Sequence, residues 1–193
     1  MEEFFYEEPS LRRKDEAIEF INEFIKNNSN INGTGGLDRY LDDYEGWLVK
    51  LEQDYRANQP EGRVPALTYF LVRESDNKII GMINIRLVLN DYLRRHGGHI
   101  GYCIRPSERE KGYNKINLYL GLKVCQQHEV EEALLDADLD NPASWKTMES
   151  LGGIRVEEYI DEVDQTKSVR YIIPVDDSIN RYKDIYESKI KHY

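Results

Sequence analysis

GGHIGYCIRPSEREKGYNKINLYLGL, residues 97–122, is the stretch whose reading decides the fold. Residues 99–104 read as a strand, which Pro106 and Ser107 end. A polar, basic loop (RPSEREKGY, 105–113) follows, and from Gly112 to about His128 the chain is a mostly apolar helix. A helix start presents unpaired N–H groups and the positive end of the helix dipole, so it holds phosphate without many basic side chains. Gly112 allows close backbone approach, and Arg109 and Lys111 add charge. On pattern alone two readings stand: an anion cradle, and a solvated turn whose glycine merely starts a helix.

Working outward, residues 66–74 (ALTYFLVRE) and 78–88 (KIIGMINIRLV) read as a hairpin about the turn Ser75-Asp76-Asn77. Two helices precede it. One follows Ser10 with Ile18, Ile21, Phe24 and Ile25 as its stripe, and the other carries Leu37, Leu41, Tyr44, Leu48, Leu51 and Tyr55. Glycine-rich 27–36 separates them, and 58–63 breaks the pattern before the hairpin. After the long helix come a strand at 133–139, a helix at 142–151, strands near 154–160 and 168–174, and a last helix with Ile179, Tyr182, Tyr186 and Ile190. The order ααβββαβαββα predicts one mixed-sheet α/β domain over 1–193: N-terminal helices in 1–57, a sheet core in 65–175 and a helical addition in 176–193. That last helix packs on its own domain or forms a homodimer contact.

A chain of 193 residues, 40% hydrophobic and 32% charged, suits one well-packed domain. A net charge of −10 speaks against nucleic acid as a partner and is compatible with a cationic acceptor. No apolar run reaches the ~20 residues of a membrane helix. The first ten residues are acidic and unlike a signal peptide, so no membrane partner and a cytoplasmic location are expected. Cys103 and Cys125 sit in apolar stretches and are expected as buried thiols rather than a disulfide.

The loop Arg109-Glu110-Lys111-Gly112-Tyr113-Asn114 resembles the pyrophosphate loop of the GNAT superfamily of N-acetyltransferases, usually written Q/R-x-x-G-x-G/A. The approach HIGYCIRPSER resembles one branch of predicted bacterial acetyltransferases. A second motif, Asp140-Asn141-Pro142-Ala143-Ser144 followed by Met148, Leu151, Gly152 and Gly153, is similar to the superfamily's N-x-x-S/A…L-G-G/F pattern. The resemblance implies a mixed, mainly antiparallel twisted sheet with splayed central strands, flanked by helices and carrying an extra C-terminal helix. It also implies acetyl-CoA (coenzyme A) as cofactor and a small-molecule or peptide amine as acceptor, acylated by direct attack on the thioester. The main chain of Tyr102, Cys103 and Ile104 would hold pantetheine. Main-chain amides of Arg109, Glu110, Lys111, Gly112, Tyr113 and Asn114 would hold the pyrophosphate, with Asn141 and Ser144 completing the site.

In many relatives the base is a Glu two positions before the strand's glycine; here that position is His99. An imidazole suits the role, and a sheet-bonded histidine is the alternative. Asn114 replaces the customary small residue and either crowds the phosphate or adds a hydrogen bond. The tyrosine that often protonates the leaving thiolate is Met148 here, which leaves the general acid unassigned: Tyr102, Tyr113 and Tyr119 are nearby in sequence among fourteen tyrosines, and a proton from bulk water would also suffice. These departures set a competitor beside the enzyme: a non-catalytic acyl-CoA-binding or regulatory module. A longer acyl or aminoacyl group is a further alternative. Residues 136–147 lack the Gly and Glu of a calcium loop, and no metal site is expected. His96 and His192 are expected at the surface, and Arg86 and Asn90 either face the acceptor or are solvated edge residues.

Overall fold

The hairpin about residues 74–77 is the centre of the first sheet in the computed structural model, which describes residues 2–56, 62–162 and 165–191. β2 (Ala66–Arg73) pairs with β3 (Lys78–Arg86), which pairs with β4 (Ile100–Ile104). An unexpected strand, β1 (Phe4–Glu7), adds to the free edge of β2. Its four residues are too few for a sequence period to register, and pairing with Val72 and Leu71 recruits them. The second sheet has the order β5-β7-β6, from β5 (Glu132–Asp138), β6 (Ile154–Ile160) and β7 (Lys167–Pro174). Every ladder in both sheets is antiparallel. The expected single splayed sheet therefore comes as two sheets, and one isolated bridge, Gly98 to Leu135, joins them.

Helices cover both faces of the first sheet. α1 (Lys14–Lys26) and α2 (Tyr44–Tyr55) pack on Phe70, Val72, Ile79, Met82 and Cys103. α1 buries Ala17, Phe20, Ile21 and Phe24, a stripe rotated from the expected one, and Ile25 is left exposed. α2 begins at Tyr44, not Leu37, because the Asp43 carboxylate accepts the Gly46 N–H as a cap, while Leu37 lies in a separate 3-10 turn. On the opposite face, α4 (Tyr113–Gln127) packs on Ile83, Ile85, Ile100 and Ile104. At ~1.5–3 kcal/mol for each large apolar side chain fully buried, these two layers provide most of the cohesion.

α5 (Pro142–Glu149) and α6 (Val175–Tyr186) continue that second core against β5 and β7. The apolar face of α6 and the turn after it, with Ile179, Tyr186 and Ile190, is buried against its own chain. A short helix absent from the sequence reading, α3 (Asp91–Arg95), is capped by Asn90, whose side chain accepts the Leu93 N–H. Both cysteines are free and buried, and burial pushes each thiol up to about 12. The expected break at 58–63 falls largely outside the described residues, as does His192. Among the described residues no helix is long and apolar enough to cross a membrane.

Candidate active site

The turn between β4 and α4 is built by its charged side chains. Arg105 is buried, its Nε donating to the Ile79 carbonyl and its Nη1 to Glu19 and Glu23 of α1. Glu108 is buried too, and accepts from Arg73, Lys78 and Lys111 at 3.0, 3.2 and 2.8 Å. Despite its desolvation, those three cations hold its carboxyl down at about 2. Arg109 donates to the Ile104 carbonyl and to Ser29 Oγ, and lies over Phe24. The braces leave the chain to turn through Glu110 (φ 64°) and Gly112 (φ 79°) into α4. A Cβ at Gly112 would meet nothing within 4 Å, so glycine serves there for the left-handed backbone rather than for space. No side chain caps this helix, so its first N–H groups point outward.

Beside this turn β4 and β5 part. They touch at one end only, where the His99 N–H donates to the Leu134 carbonyl (2.7 Å) and the Leu134 N–H donates to His99 Nδ1 (3.0 Å). Gly98 is required at that junction, because a Cβ would sit 2.2 Å from the Leu134 carbonyl oxygen. Beyond it a cleft of about 1230 Å³ opens. Tyr102, Cys103 and Ile104 form one wall, residues 136–138 the other, and Asn141, Ser144 and Met148 the floor. Residues 28–33, between α1 and α2, close the side. This loop lies so near β4 that a Cβ on Gly33 would fall 2.3 Å from the Gly101 carbonyl oxygen.

The cleft gathers ten of the twelve candidate catalytic and cofactor-binding residues: Tyr102, Cys103, Ile104, Arg109, Glu110, Gly112, Tyr113, Asn114, Asn141 and Ser144. Asn141 caps α5 by accepting the Ser144 N–H. Lys111 is not among the lining residues; its ammonium turns back to Glu108, because a buried carboxylate is a nearer counter-charge than an open cleft. His99 is not there either. It lines a smaller recess with Arg94, Val130 and Glu132, and its Nδ1 is occupied by the Leu134 N–H. Desolvation, then the charges of Arg94 and Arg86, push its imidazole down to about 4. The ring is thus a weak base holding the sheet junction, which corresponds to the sheet-bonded alternative.

Of the residues that close the far end of the cleft, the sequence singles out Arg86 as one that could face the acceptor, while Tyr159 and Asp161 carry no signal. On one face of the second sheet Asp136, Arg170 and Glu157 lie across three strands; Arg170 meets Asp136 at 2.8 and 3.0 Å and Glu157 at 3.0 Å. Arg170 also donates to the Arg95 carbonyl, and the Gly97 N–H donates to Asp136. Tyr159 stacks its ring under the Arg170 guanidinium, 4.6 Å away. His96, expected at the surface, is mostly buried and joins its Nδ1 to Asp161 at 3.0 Å. These contacts strap the segment after α3 to the second sheet. Asp136, Tyr159 and Asp161, together with Arg86, line the end of the cleft remote from α4.

Residues 34–152 match the model of the acetyltransferase (GNAT) family. Among curated proteins none matches the chain. Solved structures share the fold: RimJ of Mycobacterium smegmatis, determined in complex with CoA-disulfide, superposes with a TM-score of 0.71 at 14% identity, over 95% of this chain and 88% of that one. The spermidine/spermine N-acetyltransferase SpeG of Vibrio cholerae gives 0.64 at 14% identity, over 93% and 98%. The ribosomal-protein-S5-alanine acetyltransferase of Vibrio fischeri gives 0.63 at 16%, over 91% and 94%.

Proposed function

The chain belongs to the acetyltransferase (GNAT) family and is an acetyl-CoA-dependent N-acetyltransferase, and from that premise we propose that a free amine attacks the thioester directly within the β4–β5 cleft. One observation carries this reading: an uncapped helix start opens onto a long cleft bounded by the parted strands. Coenzyme A fits those features. The outward N–H groups at the start of α4 suit a diphosphate. The cleft volume exceeds the ~300–1,000 Å³ of ordinary ligand pockets, as an extended nucleotide thioester needs. Asn114 Oδ1 is buried beside the cleft without a hydrogen-bond partner, and a hydroxyl or amide N–H of the cofactor would satisfy it.

In this proposal the main chain of Tyr102, Cys103 and Ile104 holds pantetheine, and the main chain of residues 109–114 holds the diphosphate. Asn141 and Ser144 bind from the floor. The cofactor, when bound, supplies the activated acyl group. Asp136, Tyr159 and Asp161 receive and orient the amine, which suits a cationic acceptor, small molecule or peptide. A strong base is unnecessary once the amine is neutral, so its surplus proton passes to water in the cleft.

Calorimetric titration with coenzyme A, followed by acetyl transfer across a panel of amines, tests the reading. Saturable binding with turnover on at least one amine is expected. Binding without turnover on any acceptor would leave a cofactor-binding module instead. Asn114→Ala removes an unsatisfied buried acceptor, so the unliganded protein should gain thermal stability. Its affinity for coenzyme A should fall about 3- to 10-fold, the worth of one ordinary hydrogen bond. Unchanged affinity in that variant would show that the cofactor does not reach Asn114.

A further inference from the structure

We infer that Tyr102 is the proton donor to the departing sulfur, an assignment that rests on the cofactor site proposed above. Among the described residues three tyrosines line the cleft. The Tyr113 hydroxyl donates to Glu2 at 2.6 Å, and that of Tyr159 is hydrogen-bonded to Asp136. A phenol held by a carboxylate is a poor donor to anything else, since giving up its proton would set two anions side by side. Tyr102 alone has a neutral partner. Its hydroxyl reaches from β4 to α5, where it donates to the Ser144 carbonyl at 3.1 Å and lies 3.1 Å from Ser144 Oγ, which can donate to it in turn.

The face of α5 that Tyr102 reaches offers no better donor. Met148 lies one turn beyond Ser144 and lines the cleft with a thioether, which has no proton to give. The Thr147 hydroxyl donates to the Ala143 carbonyl of its own helix at 2.8 Å, a shorter bond than the 3.1 Å one from Tyr102 to the Ser144 carbonyl. Desolvation raises the Tyr102 phenol above its ordinary value, so it stays protonated until called on. A thiol of ordinary pKa near 8.5 leaves at neutral pH as an anion, and a positioned donor relieves that charge as it forms.

The step balances. The amine nitrogen uses its lone pair to bond the acyl carbon, and the carbon–sulfur bond breaks with its electron pair kept on sulfur. Tyr102 Oη then gives its proton to that sulfur. The tyrosinate recovers a proton from Ser144 Oγ, which is replenished by water, and the amine's extra proton leaves to water. The products are an amide and a free thiol.

The test uses the full chain with coenzyme A bound, titrating the thiol by the ultraviolet absorbance of its thiolate. In Tyr102→Phe the ring and its packing remain but the donor is gone. The bound thiol should then titrate about one pH unit higher than in the wild type, about a tenfold shift. Turnover should fall about 100-fold, with the KM for acetyl-CoA within about threefold. Ser144→Ala leaves the phenol in place without its relay, should lower turnover by a smaller factor, and carries the test if the phenylalanine variant does not fold. A thiol titration unmoved in Tyr102→Phe, with coenzyme A bound equally by both proteins, overturns this inference alone. Failure of the wild type to bind coenzyme A overturns the proposed function and this inference with it.

Discussion

Glu108→Gln should destabilise the protein by about 3 kcal/mol, which places it among the most damaging single changes in the chain. The glutamate side chain is 6% exposed and is the common partner of Arg73, Lys78 and Lys111. Removing its charge leaves three cations converging on a neutral amide. The expected cost sits at the lower end of the ~3–5 kcal/mol for breaking a buried ion pair. Lys78 and Lys111 reach water, and Arg73 keeps Asp76. The same residue predicts an acid limit. Its carboxyl titrates at about 2 in the fold against an ordinary 4.5. The stability it confers is complete above about 4.5, declines as pH falls below that value, and is gone once pH has passed through about 2. Urea unfolding at neutral pH and near pH 3 should show a loss for the wild type that is smaller in Glu108→Gln. Equal acid sensitivity in both proteins would refute this account.

Arg170→Met should cost about 3–5 kcal/mol and lower the unfolding midpoint by roughly 10 °C. Methionine fills similar length but leaves the Asp136 carboxylate, 9% exposed, hydrogen-bonded by the neutral Gly97 N–H and Tyr159, with the Arg86 charge nearby as its remaining counter-charge. It also frees the Arg95 carbonyl, so the strap over the cleft end loosens. The consequence for function is directional. Gly97 precedes β4 and the α4 turn follows it, so damage lies at the end proposed for the acceptor. The KM for the amine should rise while the dissociation constant for coenzyme A stays within about twofold. Arg170→Lys keeps the charge but not the two-pronged geometry, and should recover part of the stability. Comparable losses of amine and coenzyme A binding would sink the proposed division of the cleft.

The sequence was legible where local chemistry decides structure. The hairpin, the strand entering the RPSEREKGY turn, the start of α4 at Gly112, and the Asn141 cap of α5 all follow from residues a few positions apart. The two spaced motifs also brought most of the cleft together in advance. The charges of the turn were legible as charges but misread in direction. Lys111 was expected to face phosphate, yet Glu108, three residues away, folds inward and takes it. His99 stands at the right position in the motif, but Gly98 (φ 62°) turns the chain so that Leu134 occupies its ring.

By itself, then, the sequence determined an α/β chain with a helix starting just after Gly112 and a second motif on the next strand and helix. Which side chains meet across the cleft was decided by the tertiary structure alone. Tyr102 with Ser144, Asp136 with Arg170, and His96 with Asp161 are pairs 42, 34 and 65 residues apart. Asp136 and Arg170 face each other in one ladder, and the other two pairs are placed by the strands that carry or flank them. A slip of one residue in register, which turns a strand side chain to the opposite face, would part them. That register is set by the packing of two cores at once, and no short run of sequence records it.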